Sequence, residues 1–113
     1  MSLRKLSDDV AVCGQIRPED MKQVRELGFK TVINNRPDFE EPGQPLHAEI
    51  EASATAEGLA VHYLPLAAGM YPSQELLDQF KAVFDAAEKP VLAFCLSGNR
   101  SGQIYMGACG QAQ

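Results

Sequence analysis

Apolar and polar positions along the 113-residue chain alternate between short helical and extended segments. Leu6 to Val12 reads as a short hairpin around Ser7-Asp8-Asp9. Pro18-Glu19-Asp20 then opens a helix, because proline suits a first turn and acids suit the positive end of the helix dipole. Met21, Val24 and Leu27 give that helix its buried stripe, and Gly28 stops it. Lys30 to Asn34 is rich in β-branched residues and reads as a strand. Asn35 to Pro45, with three prolines and a glycine, is a loop. Leu46 to Glu57 is a second helix stopped by Gly58, Leu59 to Leu64 a second strand, and Pro65 to Pro72 a loop. Ser73 is placed to cap a third helix, Gln74 to Ala87, with Leu76, Leu77, Phe80, Val83 and Phe84 on its apolar side. Pro90 to Phe94 is apolar at four consecutive positions, as strands buried on both faces are. Ser101 onward is a last helix. Its glycines at 102, 107 and 110 each cost a helix interior about 1 kcal/mol, so this segment packs closely under the sheet edge or frays.

The β-α-β-α-β-α order predicts an α/β fold: a parallel-rich sheet with right-handed crossovers, flanked by helices. Ligands of such sheets bind outside the carboxyl ends of the strands. Three loops share that edge, Asn35–Pro45, Pro65–Pro72 and Cys95–Ser101, and a site is expected where they meet.

Composition narrows the picture. The length suits one domain over residues 1–113, drawn from a minimal protein or a longer one. A net charge of −5 leaves no excess of lysine and arginine for nucleic acid or an anionic membrane, yet permits one small anion in a local pocket. No apolar run approaches the ~20 residues of a membrane span, and no apolar stretch follows the basic pair near the start, so a cytoplasmic protein is expected. Cys13, Cys95 and Cys109 are an odd set without metal-ligand spacing, and free thiols are expected.

Only Cys95 has chemical company. In Cys95-Leu96-Ser97-Gly98-Asn99-Arg100-Ser101 a cysteine follows a buried strand and precedes a helix start. A free thiol has a pKa of about 8.5, and a helix N-terminus and a guanidinium both favour its anion. Gly98 can take positive φ and turn backbone N–H groups inward as an anion nest. Arg100 adds a permanent charge with bidentate geometry, and Ser101 is placed to bond the thiolate or cap the helix. The competing reading makes Cys95 a buried small hydrophobe and Gly98-Asn99 a simple turn. Cys13 and Cys109 read as structural.

At these residues the chain resembles the phosphatase-like domain of the beta-lactamase hydrolase-like family, over almost its full length. The matching pieces are Val12-Cys13-Gly14-Gln15, Thr31-Val32-Ile33-Asn34-Asn35-Arg36-Pro37-Asp38, Pro42-Gly43-Gln44-Pro45, and Pro90 to Cys95 running into Ser97-Gly98-Asn99-Arg100-Ser101. Bacterial members are described as phosphatases or as sulfur transferases. The resemblance implies a fold similar to dual-specificity and tyrosine phosphatases, whose pattern is His-Cys-x-x-Gly-x-x-Arg. This chain departs from it: Phe94 replaces the histidine, one fewer residue separates Gly98 from Arg100, and Pro65–Pro72 has no carboxylate where those enzymes usually keep an acid. A missing general acid typically forfeits 10²–10⁴-fold. The shortened loop also resembles a rhodanese loop, Cys-Arg-x-Gly-x-Arg, and Leu96 stands where relatives carry an arginine.

Around the loop, Arg36 is a candidate to bind anion or loop backbone, and Asp38 a candidate displaced acid; alternatively the two form an ion pair or fasten their loop. Asn34 and Asn35 are placed to bond the thiolate loop or to make a turn. His47 begins a helix near the same edge, His62 reads as a sheet histidine, and Glu40-Glu41 as a solvated loop. No metal or organic cofactor is implied. Three functions remain open: a phosphatase-like hydrolase with Cys95 as nucleophile, a rhodanese-like sulfurtransferase carrying a persulfide on Cys95, and a non-catalytic anion sensor. All three take a small anionic ligand, a phosphate ester or a sulfur species, and the oligomeric state is not determined by these residues.

Overall fold

In a computed structural model, which describes residues 1–110, the chain forms one five-stranded sheet with helices on both faces. Its strands are β1 (Arg4–Ser7), β2 (Val10–Cys13), β3 (Thr31–Asn34), β4 (Ala60–Tyr63) and β5 (Val91–Phe94). The helices are α1 (Met21–Glu26), α2 (His47–Ala56), α3 (Gln74–Ala86) and α4 (Asn99–Tyr105). Strand order is β1-β2-β5-β3-β4, antiparallel at β1–β2 and parallel elsewhere. The expected parallel-rich α/β architecture is therefore present, with the hairpin at one edge.

The apolar run Val91–Phe94 forms the central strand, and each of its residues is buried. Leu92 and Phe94 face a core layer with Met21, Val24 and Ile50 from α1, α2 and their flanks. Val91 and Ala93 face the opposite layer, with Phe80 and Phe84 of α3 and Ile104 of α4. All five apolar residues expected on α3 pack into that layer, and Ser73 caps the helix by accepting the Leu76 amide at 3.0 Å. Phe94 is level with Cys13 on one side and Asn34 on the other, so three strand ends open onto the same edge.

The first and last helices differ from expectation, and Leu27, expected in the buried stripe of the first, lies just past α1 and is exposed. The first helix begins with a 3₁₀ turn, Pro18–Asp20, closed by Asp20 Oδ2 accepting the Arg17 amide at 2.8 Å. The last helix begins at Asn99 rather than Ser101, because Gly98 at φ 93° reverses the chain two residues earlier. It continues as a π-type turn, Met106–Gly110. Its glycines sit at close approaches: a Cβ at Gly102 would lie 3.0 Å from the Arg4 guanidinium, and one at Gly107 would lie 3.0 Å from Leu77. Among the described residues, no helix is long and apolar enough to cross a membrane.

Candidate active site

β5 ends at Phe94 and delivers Cys95, fully buried, to the rim of the sheet. Gly98 turns in the left-handed region and points its amide back at the sulfur, with N to Sγ 3.1 Å. Burial opposes ionisation of Cys95, but amide donors at Ser101, Ser97 and Gly98, with the Ser101 hydroxyl, outweigh it and hold the thiol below its ordinary value. The Ser101 hydroxyl also reaches Asn35 Oδ1 at 2.8 Å. A hydroxyl has one proton, so it serves the carboxamide or the thiolate, and the amides are the constant donors.

Cys13 lies behind this loop. Burial first, and then the charge of Cys95, push its thiol up to about 12, so it stays protonated. A Cβ on Gly98 would meet the Cys13 carbonyl carbon and oxygen at 3.2 Å, and one on Gly14 would meet the Leu96 carbonyl oxygen at 2.8 Å. The Gln15 amide donates to that same Leu96 oxygen at 3.1 Å. The turn after β2 is thus the back wall of the loop. Sequence reasoning used Gly14 and Gln15 only as part of a family match; the available signal was a glycine following a strand at the site edge.

Arg100 does not face open solvent. Its Nη1 donates to Glu40 Oε2 and to the Leu66 carbonyl, each at 2.7 Å, and its Nη2 donates to Glu40 Oε1 at 3.0 Å. Glu40 Oε1 also accepts from Arg36 Nε at 2.8 Å. Arg36 directs its other nitrogens to Gln15 Oε1 at 2.9 Å and Glu41 Oε1 at 2.8 Å. Glu40 is therefore no solvated loop acid. Its side chain is only 18% exposed and lies between two guanidiniums, whereas Glu41 at 61% matches the expectation of solvation while still touching Arg36. The sequence treated the pair alike because nothing local distinguishes them.

Other candidates divide by what they touch. Arg36 fastens the Asn35–Pro45 loop through Glu40 and Glu41, and its ion-pair partners are these rather than Asp38. Asp38 Oδ1 accepts the His47 amide at 2.8 Å, and its own amide donates to the Tyr63 hydroxyl at 2.9 Å, so it ties that loop to α2 and β4. Asn35 joins the site, its amide donating to the Phe94 carbonyl at 2.8 Å and its side chain accepting from Ser101. Asn34 makes a turn instead, accepting the Arg36 amide at 2.8 Å. His47 stacks on Tyr63 at 4.2 Å between ring centres, and burial lowers its pKa. His62 sits within β4 opposite Ile33. Leu96, Ser97 and Asn99 are exposed on the loop's outer side, with the Asn99 amide donating to Ser97 Oγ at 3.2 Å. No group of His, Cys, Asp or Glu among the described residues is arranged to hold a metal.

The Glu40 cluster predicts a pH dependence. Hydrogen bonds from Arg100, working against burial and joined by those from Arg36, lower the Glu40 carboxyl from 4.5 to about 2. A carboxyl depressed by folding contributes stability that is fully present above its unfolded value and is lost as pH falls through the folded one. Denaturant melts are expected to show this loss between about pH 4.5 and 2, with a shallower slope in Glu40→Gln. Equal slopes in both chains would refute the assignment.

Residues 2–113 match the family described as beta-lactamase hydrolase-like protein, phosphatase-like domain. A beta-lactamase hydrolase-like protein of Agrobacterium fabrum is 31% identical over 94% of this chain, and one of Xylella fastidiosa is 30% identical over 93%. The chain spans about a quarter of each relative, 24% of its length. A candidate phosphatase of Neisseria meningitidis is 33% identical, with a TM-score of 0.84 over 93% of this chain and 74% of its own. TpbA of P. aeruginosa, solved with pTyr, shares the fold at 20% identity, with a TM-score of 0.68 over 96% of this chain and 64% of its own. Sheet order, the cysteine loop after β5 and these matches together place the chain in the beta-lactamase hydrolase-like protein, phosphatase-like domain family.

Proposed function

We propose that the chain is a cysteine-dependent, phosphatase-like hydrolase of phosphate monoesters, with Cys95 as nucleophile and the Leu96–Ser101 amides and Arg100 as the anion loop. The observation that carries this reading is the buried Cys95 sulfur at the end of the central strand, 3.1 Å from the Gly98 amide and biased toward its thiolate. In the first step a sulfur–phosphorus bond forms while the ester P–O bond breaks. The leaving oxygen departs with the bonding pair and takes its proton from solvent, since the Pro65–Pro72 loop holds no carboxylate. In the second step a water oxygen attacks phosphorus, the S–P bond breaks, phosphate leaves and the thiolate is restored. Esters of acidic phenols suit this scheme, because their oxygens leave without a general acid. The pTyr bound by TpbA supports an aryl ester as the substrate class.

A second reading, sulfur transfer, draws support from the same missing carboxylate and from Arg100 being paired with Glu40. There the thiolate attacks the outer sulfur of thiosulfate, a sulfur–sulfur bond forms and sulfite leaves, with no oxygen to protonate. One experiment separates the two. The chain is mixed with an aryl phosphate or with thiosulfate, acid-quenched and analysed by peptide mass. Phosphocysteine at Cys95 is the expected product. Persulfide at Cys95 without phosphocysteine moves the assignment to sulfur transfer, and neither adduct refutes both.

A further inference from the structure

The pairing of Arg100 raises a question of charge. The Cys95–Ser101 stretch supplies one basic side chain, Arg100, and Glu40 meets it with both carboxylate oxygens. Glu40 cannot swing away without loss elsewhere. Its Oε1 is shared with Arg36, its amide donates to Gln44 Oε1 at 3.1 Å, and Arg36 is itself 3% exposed and held by Gln15 and Glu41. The bidentate end of Arg100 is thus committed within the fold. Arg100 Nε has no acceptor among the described residues and remains for a ligand, together with the loop amides.

Two guanidiniums facing two carboxylates leave this cluster without net charge, and an ionised Cys95 adds a negative one. A tetrahedral oxyanion then meets oriented dipoles and one Arg100 edge, but no uncompensated cation in the cluster. Its first negative charge is matched by N–H donors. A second finds no unpaired guanidinium in this cluster and is repelled by Glu40 and the thiolate.

We propose that Glu40 sets the charge selectivity of the Cys95 loop, so that singly charged oxyanions, or singly charged forms of an ester, bind at least as well as doubly charged ones. This rests on reading Cys95–Ser101 as an anion loop. Glu40 acts through Arg100 and is a specificity-determining, positioning residue.

Sulfate and perchlorate test it, since both are tetrahedral and they differ in charge. Each is titrated against the rate of Cys95 alkylation by iodoacetamide, at neutral pH and constant ionic strength. The native chain is expected to be protected by sulfate no more tightly than by perchlorate. Glu40→Gln is expected to raise the sulfate-to-perchlorate affinity ratio by about tenfold, the scale of one unit charge acting at a partly buried site. Glu40→Asp keeps the charge and should keep the native ratio even if both anions bind more weakly. A native preference for sulfate over perchlorate would overturn the proposal, and this holds whether or not Glu40→Gln folds. An equal loss for both anions in Glu40→Gln would also overturn it, leaving Glu40 as a mere prop for Arg100. If neither anion protects a Cys95 that still alkylates, the anion loop itself fails, and the charge inference with it.

Discussion

Cys95→Ser is expected to lower phosphate release from an aryl phosphate by about 10⁴-fold or more, because a hydroxyl is not ionised near neutral pH and the partners of this position among the described residues are amides and the Ser101 hydroxyl, with no base to activate it. The fold should survive. Cys95 is fully buried at the strand end, serine is close to it in size, and its oxygen can still accept the Gly98 amide. A phosphate-release assay paired with thermal melting checks both halves. If the serine chain melts normally yet retains more than about a hundredth of native turnover, Cys95 is not the nucleophile.

Gly98→Ala carries the next largest effect, through backbone rather than chemistry. Its φ of 93° lies in a region that costs other residues about 1–3 kcal/mol. The new Cβ also falls 3.2 Å from the Cys13 carbonyl, so the loop must shift. The amide that stabilises the Cys95 anion moves with it. Alkylation of Cys95 below neutral pH should slow by about tenfold, equivalent to one unit of pKa. Gly58→Ala is the matched control: it has φ 80° with nothing within 4 Å of a new Cβ, so it bears the strain alone. Equal alkylation rates in native and Gly98→Ala chains would show that this amide does not tune the sulfur.

These expectations mix what is local in the chain with what is not. Val91–Phe94 was legible because burial on both faces writes itself as consecutive apolar residues, and Thr31–Asn34 because β-branched residues mark a strand. Ser73 was legible because a cap acts on its own first turn. The cysteine loop was placed correctly at the strand ends by topology. Glu40 was not legible: its character comes from Arg100, sixty residues away, and a glutamate in a proline-rich loop carries no mark of burial. Gly14 is similar, since its need for a hydrogen comes from the Leu96 carbonyl. The helix start at Asn99 depended on a positive φ that glycine permits but does not announce.

The sheet order also bears on how the molecule is assembled. β5 lies between β2 and β3, which bond to it and not to each other. A chain emerging from its N-terminus can form the β1–β2 hairpin and the β3–β4 pair, but each must wait with an open inner edge. Such edges invite pairing with other chains, and non-local strand insertion is slow beside local folding. The arrival of β5 closes both edges at once. It also brings Cys95 against the turn after β2 and Asn35 against the Phe94 carbonyl. The cysteine loop therefore gains its back wall in the same event that completes the sheet, and a chain that ends before β5 leaves the turn after β2 and the end of β3 without the strand they flank.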